Sequence, residues 1–514
     1  MTFCRTIPVI GFAACSLVAG RLDAAENADN PDRPNIVFIL IDDLGAHDLG
    51  ITGSDYYETP NLDRLARNGM LFDQGYANAV VCSPARAAIY TGQYPARNKF
   101  TNVVIGENHD EPKLFDIGKF TERQLIQANA QHFDAKHLRV IPHEHTTFAE
   151  ALRDEGYTTG FIGKWHCGYS REFHPDAHGW THAAGFRKFH RGTTRHWGRH
   201  WQDILYNVPD MEDDDYLSDY LTDLAVRFID EHHDNEPFML TLSHYLVHTP
   251  LTPRPDLAEK YRQTSGEVQR NFRYAAMVEA VDESVGRVLE ALEKHGVADN
   301  TMVVFTSDQG ALSPRASSNL PLKGGKSFPY EGGVRIPFII TWPDRIAPES
   351  RSDERVMQID LYPTFCEAAG VDLPENQHLD GVSLMPLLTG SGGLDERPLF
   401  WYYPHYTHAI GPYASVISEG WKLIRHFNDG DGGAYELYDL RFDPHEYKDL
   451  AGEKPGKVEE LARLIEEHLN ETEAYMPRPN PEYDPDKPSH KGLNFTKEMA
   501  ESQRLQLQTE GTPR

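Results

Sequence analysis

Cysteine is scarce in this chain, with five in 514 residues. Cys4 and Cys15 fall in an apolar amino-terminal run, leaving Cys82, Cys167 and Cys366 for the body. Three thiols cannot form a disulfide scaffold, although the sequence leaves a Cys167–Cys366 pair open. Positive charge is also short, with 50 Lys and Arg against 78 Asp and Glu, a formal net charge of −28. That balance argues against nucleic-acid partners and against docking on anionic membranes by bulk charge, and an anionic substrate would need a local basic pocket. There is no internal repeat, which excludes a solenoid. Long apolar runs are missing as well, apart from Ile7 to Ala19, which is interrupted by Pro8 and Gly11. This run follows Arg5 and precedes Ala24-Ala25, so residues 1–25 read as a secretory signal and the protein as periplasmic or secreted, without stable membrane insertion. Cys15 as a lipid attachment site has a poor lead-in in Phe12-Ala13-Ala14.

What is present is a strand–helix alternation. Four β-branched, apolar runs each end in a polar cluster: NIVFILI before Asp42-Asp43, YTTGFIG before Lys164-Trp165-His166, PFMLTLS before His244 to His248, and TMVVFTS before Asp308-Gln309. Helical spacing occupies TPNLDRLARNG, HTTFAEALRDEG, YLTDLAVRFIDEH and the stretch that ends in VLEALEKHG. This alternation predicts an α/β fold with a large, mostly parallel sheet sandwiched by helices over residues 32–394. Ligands in such sheets gather beyond the carboxyl ends of the strands, so the four clusters should converge on one rim. From residue 395 to 475 the pattern becomes aromatic strands joined by Gly and Asn/Asp turns, then one amphipathic helix, predicting a small antiparallel sheet with a covering helix. Residues 476–514 read as an extended or disordered tail.

Asp42, Asp43, Asp308 and Gln309 offer only hard oxygen ligands, a set that suits Ca²⁺, with Mg²⁺ as the second choice. Either acidic pair alone would serve as a turn cap. Together on one rim they would repel, and a divalent cation removes that repulsion. The surrounding cations are Arg86, Lys164 and Lys326, with His166 and His248 beside them. Near a helix start, such a ring suits a tetrahedral anion. The stretch AVVCSPARAAIYTGQYPAR (residues 79–97) predicts a helix beginning near Pro84 with Ser83 as its cap. That helix would carry Arg86 in its first turn, where the dipole disfavours positive charge.

Cys82-Ser83-Pro84-Ala85-Arg86 followed by Thr91-Gly92 resembles the C-x-P-x-R signature of type I, formylglycine-dependent sulfatases of the alkaline phosphatase superfamily. NIVFILIDDLG, GKWH, HTP, TSDQG, GGKSFPYEGGVRIPFIITWP and YELYDLRFDP follow the order of that family, so the resemblance spans roughly residues 35 to 470. It implies that Cys82 is oxidised to formylglycine (3-oxoalanine) by a maturation enzyme that reads Pro84 and Arg86, and that Cys82 joins Asp42, Asp43, Asp308 and Gln309 around the cation. It further implies that Arg86 stabilises the hydrated aldehyde, that His248 and Lys326 bind sulfate and help protonate the leaving oxygen, that Lys164 holds sulfate oxygens, and that His166 is the base that releases sulfate from a sulfated enzyme intermediate. Gln309 stands where Asn is commoner in the family, and Cys167 where an aliphatic residue is expected. Residues 97–145 and 186–201 are longer or more basic than these motifs require, and the second, which interleaves Arg and His with aromatics, could contact a sulfated sugar, so a secreted enzyme with these loops suggests a sulfated carbohydrate substrate. A formylglycine-dependent phosphonate or phosphate monoester hydrolase would use the same residues, and an unmatured glycan-binding protein on this scaffold is the non-enzymatic alternative.

Overall fold

The computed structural model describes residues 33–104, 121–187, 196–198, 201–234, 236–312, 316–407, 410–428 and 434–487. The signal-like segment, the end of the tail, residues 105–120 of the region 97–145 and most of the stretch 186–201 lie outside them.

The described residues contain fourteen strands: β1 (Asn35–Ile41), β2 (Met70–Tyr76), β3 (His132–Phe133), β4 (Thr158–Gly163), β5 (His182–Ala184), β6 (Phe238–Ser243), β7 (Thr301–Ser307), β8 (Phe338–Thr341), β9 (Ser350–Met357), β10 (Leu399–Tyr403), β11 (Tyr413–Ser418), β12 (Trp421–His426), β13 (Ala434–Asp439) and β14 (Arg478–Pro479). Eight form the main sheet in the order β5-β4-β6-β1-β7-β8-β2-β9. Only β8 runs against its neighbours, pairing antiparallel with both β7 and β2. The sheet is therefore mostly parallel, and the four runs read from the sequence are its contiguous centre, β4-β6-β1-β7.

Those runs are continuously apolar because both faces of the sheet are covered. Along β1, Val37, Ile39 and Ile41 enter one core with the helices Leu217–His232 and Phe272–Lys294. Ile36, Phe38 and Leu40 enter the other, with the helices Cys82–Thr91, Phe148–Asp154 and Leu361–Ala369. Each fully buried side chain of this kind contributes about 1.5–3 kcal/mol of hydrophobic stabilisation. Cys167 and Cys366 pack in the second core as free thiols, so the pairing left open by the sequence is not made.

Strands β10 to β13 form the antiparallel sheet, with register Trp401 to Ser415 and Ile424 to Ser415. Its alternation divides the two faces. Trp401, Tyr403 and Ile424 pack on Tyr76, Val80 and Val81 of the larger unit, whereas Tyr402, Val416 and Leu423 pack under Leu461, Ile465 and Leu469 of the helix Pro455–Glu471. A buried ion cluster joins the two sheets. Lys422 of β12 lies 3.0 Å from Glu331 and 2.9 Å from Glu446, and the Glu331 N–H donates to Glu446 at 2.8 Å. Beyond the covering helix, β14 pairs antiparallel with β3. No helix among the described residues is long and apolar enough to cross a membrane.

Candidate active site

Each central strand delivers its polar cluster to the same carboxyl-terminal rim, as the alternation predicted. Backbone bonds tie these ends together: Asp42 N–H donates to Leu246, Val247 to Asp42, His244 to Leu40 and Asp308 to Ile41. At the end of β4, Gly163 has φ +108°, and a Cβ there would lie 1.9 Å from the Ser243 carbonyl, so only glycine lets the chain pass and Lys164 N–H donate to that carbonyl at 2.7 Å.

The helix carrying Cys82 spans Cys82–Thr91, with Val81 as its N-cap and no side-chain cap. It thus starts two residues before the expected Pro84. Ser83 is not the cap, because its Oγ accepts the Val104 N–H at 3.2 Å. Arg86 is fully buried rather than solvated. Its guanidinium donates to Asp308 Oδ2 at 2.9 Å, the Lys164 carbonyl at 2.8 Å and Ser243 Oγ at 2.6 Å, and lies 3.9 Å from Asp42. An arginine near a helix start is stable here because carboxylates surround it.

Cys82 Sγ and carboxylate oxygens of Asp42, Asp43 and Asp308 all lie within 4.8 Å of one another. Lys326 Nζ donates to Asp43 at 2.6 and 2.9 Å and to Cys82 Sγ at 3.2 Å, and Lys164 pairs with Asp42. Gln309 Nε2 donates to Asp43 and to Cys82 Sγ, the latter at 3.5 Å. His248 Nε2 is 3.8 Å from Asp43, with Nδ1 held by the Thr249 carbonyl at 2.6 Å. The structure thus brings together Asp42, Asp43, Cys82, Arg86, Lys164, His248, Asp308, Gln309 and Lys326. The His166 ring is 3.3 Å from the Val104 carbonyl, and the Val104 N–H donates to Ser83 Oγ, next to Cys82.

Charge is concentrated in this pocket. Burial pushes the Asp308 carboxyl up to about 7, helped by Asp42 and opposed by Arg86. Burial acts likewise on Asp42, but Lys164, His248, Arg86 and Lys326 outweigh it and hold that group well below the usual carboxylate range. Burial lowers Lys326, yet Asp43, Cys82, Asp42 and Asp308 leave it well above the ordinary lysine value. The Cys82 thiol is pushed up to about 12 by burial and by Asp42, so it remains protonated and a poor nucleophile at neutral pH. The donor set fits a divalent cation: three carboxylates converge, and Gln309 Oε1 is buried without a hydrogen-bond partner among the described residues.

Sequence reasoning missed the parts that hold these ligands in place. Asp43 sits at φ +68°, a conformation costly for a non-glycine residue. Its N–H donates to Asp308 at 3.2 Å, and its carbonyl accepts from Tyr274 Oη at 3.0 Å. Tyr274 Oη also donates to buried Asp48 at 2.7 Å, and Asp48 accepts from Gly45, Gln269 and Ser317. The DDLGAHDLG stretch contains Asp48, but nothing in its spacing points to Tyr274.

A family profile described as Sulfatase matches residues 34–371. The chain belongs to the sulfatase family. A second profile, N-sulphoglucosamine sulphohydrolase, C-terminal, matches residues 325–475. The sulfatase is 34% identical over 394 residues to N-acetylgalactosamine-6-sulfatase of Mus musculus, covering 73% of this chain and 70% of that protein. It is 30% identical over 505 residues to a sulfatase of Formosa agariphila, covering 84% and 86%. Among solved structures, Ps i-CgsB in complex with k-i-k-neocarrahexaose aligns with a TM-score of 0.71 and 26% identity over 94% of this chain and 98% of that one. The sulfatase is thus a sulfuric ester hydrolase by family, with the alkaline-phosphatase-like fold.

Proposed function

We propose that this sulfatase is an exported enzyme that removes sulfate esters from a sulfated carbohydrate, after a maturation enzyme has converted Cys82 to formylglycine. The observation that carries the reading is the convergence of Asp42, Asp43, Asp308 and position 82 within 4.8 Å, with Lys164 and Lys326 both reaching into the cluster. The protonated thiol supports the need for modification, since a buried group with this pKa does not attack at neutral pH. The relative named N-acetylgalactosamine-6-sulfatase, and the neighbour solved in complex with k-i-k-neocarrahexaose, support a carbohydrate substrate.

Asp42, Asp43, Asp308 and Gln309, with the oxygen at position 82, would hold Ca²⁺, or Mg²⁺ as second choice. Bound there, the cation supplies Lewis-acid stabilisation of negative charge on oxygen. The hydrated aldehyde formed at position 82 would supply two hydroxyls on one carbon, a nucleophile toward sulfur and a second oxygen that allows sulfate release. Lys164 and Lys326 bind the sulfate oxygens, compensating charge that a chain this acidic otherwise repels. Lys326 Nζ carries the proton that the leaving sugar oxygen needs. His248, with Nδ1–H given to Thr249, presents Nε2 to the same oxygen and shares that task when protonated. Arg86 fixes Asp308 and, through Ser243 and the Lys164 carbonyl, the end of β4. His166 is the base that takes the proton from the second hydroxyl at position 82.

Two measurements test the proposal. Peptide mass spectrometry over residue 82, on protein produced with a formylglycine-generating enzyme, should show a loss of about 18 Da. The matured protein should then release sulfate from sulfated oligosaccharides faster than phosphate from matched phosphate or phosphonate esters. An unmodified, inactive peptide would favour the binding-protein reading, and faster phosphate release would favour the phosphatase one.

A further inference from the structure

Beside the catalytic cluster lies an arginine to which the site gives no role. The Arg187 guanidinium lies 5.4 Å from the ring centroids of both Trp201 and Tyr245. Its guanidinium hydrogen-bonds the Tyr245 hydroxyl, but among the described residues it makes no ion pair, and its Nε is buried without a hydrogen-bond partner. The surrounding sequence gives it no counter-charge either, since residues 186–201 contain five Arg or Lys and no Asp or Glu, in a chain of net charge −28. No carboxylate among the described residues compensates this half-buried charge, and an anion arriving from solvent would.

Its position says where that anion would come from. Tyr245 belongs to the segment that joins Ser243, bonded to Arg86, to His248, which faces Asp43. Tyr245 Oη donates to the Gly185 carbonyl at 3.0 Å, two residues before Arg187, so ring and guanidinium are fixed against each other. The His196 ring is 3.2 Å from the His248 carbonyl, anchoring the far side of the same stretch to the site. Burial raises the Tyr245 hydroxyl against the opposing pull of Arg187 and Arg86, with Asp42 adding to the rise, and burial likewise raises Tyr169 against Arg187, with Cys82 adding to it. Tyr245 thus links Arg187 to the segment that carries Ser243 and His248.

We propose that Arg187 is a subsite for a second anionic group, a sulfate ester or a uronate carboxylate, on the sugar next to the one being desulfated. Stacking on Trp201 and Tyr245 keeps the guanidinium plane fixed, and the donors left beside its bond to Tyr245 form the fork that grips two oxygens of such a group. The sulfatase then selects polyanionic oligosaccharides over singly sulfated ones. This rests on the sulfatase reading above.

The test compares full-length wild type, Arg187→Ala and Arg187→Lys, all matured, on three probes: an aryl sulfate, a monosulfated disaccharide, and the same disaccharide carrying a second sulfate or a uronate carboxylate. Arg187→Ala should leave aryl sulfate turnover within about twofold. It should raise KM for the doubly anionic disaccharides by about tenfold to a hundredfold with kcat kept, the size of a lost charge-assisted hydrogen bond. Lysine should recover part of the loss, and the sulfate and carboxylate arms show which group the fork prefers. Equal loss on all three probes, or no loss on any, overturns the proposal. Calorimetric binding of the doubly anionic disaccharide to unmatured protein judges Arg187 separately: wild type should bind about tenfold or more tightly than Arg187→Ala, and equal affinities overturn the subsite. If the matured wild type releases no sulfate at all, the sulfatase reading fails, and the binding comparison still decides the subsite.

Discussion

Replacing Arg86 by alanine is the sharpest test of how the site is held together. The guanidinium is completely buried and makes hydrogen bonds to Asp308, Ser243 and the Lys164 carbonyl. Removing it leaves Asp308 and Asp42 facing each other without the charge between them. Breaking a buried pair by deleting one partner costs about 3–5 kcal/mol, mostly the penalty of the stranded carboxylate. With about 2.1 cal/mol/K of unfolding entropy per residue, a chain of 514 residues carries roughly 1 kcal/mol/K, so Tm should fall by about 3–5 °C. Calcium should return more stability to the variant than to wild type, because the stranded carboxylates gain more from a cation. A ligand at a hundred times its Kd stabilises by about 2.7 kcal/mol, enough to offset much of the loss. Scanning calorimetry in chelator and in millimolar Ca²⁺ reads both effects. A variant within about 1 °C of wild type in chelator, with the same response to Ca²⁺, would refute the bracing role.

Tyr274→Phe removes the hydroxyl that holds the Asp43 carbonyl, so cation affinity measured by calorimetry should fall about five- to tenfold, the value of one hydrogen bond; unchanged affinity would mean that Asp43 holds its conformation without help. Gly163→Ala places a methyl into the Ser243 carbonyl at positive φ, and the expected outcome is a loss of more than about 3 kcal/mol with little folded protein, against normal yield if the backbone can shift. Burial lowers His178 to about 3 and His196, His244 and His468 to about 4. These folded values lie below the unfolded 6.5, so the stability they contribute is complete above that pH and drains as pH falls toward 4. At about 1.36 kcal/mol per unit, each costs about 2 kcal/mol at pH 5. Tm should therefore drop steeply between pH 6.5 and 5, and a flat profile there would show that these rings are wetter than the structure has them.

The centre of the fold was legible because its physics is local. A strand buried on both faces must be apolar throughout, and the residue that follows it must be polar if it meets a ligand, so NIVFILI with Asp42-Asp43 and TMVVFTS with Asp308-Gln309 announce both sheet and site. The outer strands were not legible: MLFDQGY of β2 and SRSDERVM of β9 carry charge because their faces are partly open. The helix start was misjudged because proline and serine have strong local preferences, and those yielded here to Val104 and to the need to aim residue 82 at Asp42. Arg86 was recognisable as unusual, but its partners lie on three other segments. Asp48 and Tyr274 act across 226 positions of sequence, a pairing that no periodicity encodes.

Lys422 has a consequence for how the two sheets can be recombined. It neutralises Glu331, which follows Lys326 in the same glycine-rich stretch, and Glu446, which lies beyond the last strand of the smaller sheet. The smaller sheet is therefore a keystone for the stretch that carries Lys326, rather than a detachable appendage. A chimera that exchanges everything after residue 395 with a relative keeps that stretch seated only if the incoming half brings an equivalent lysine and glutamate together.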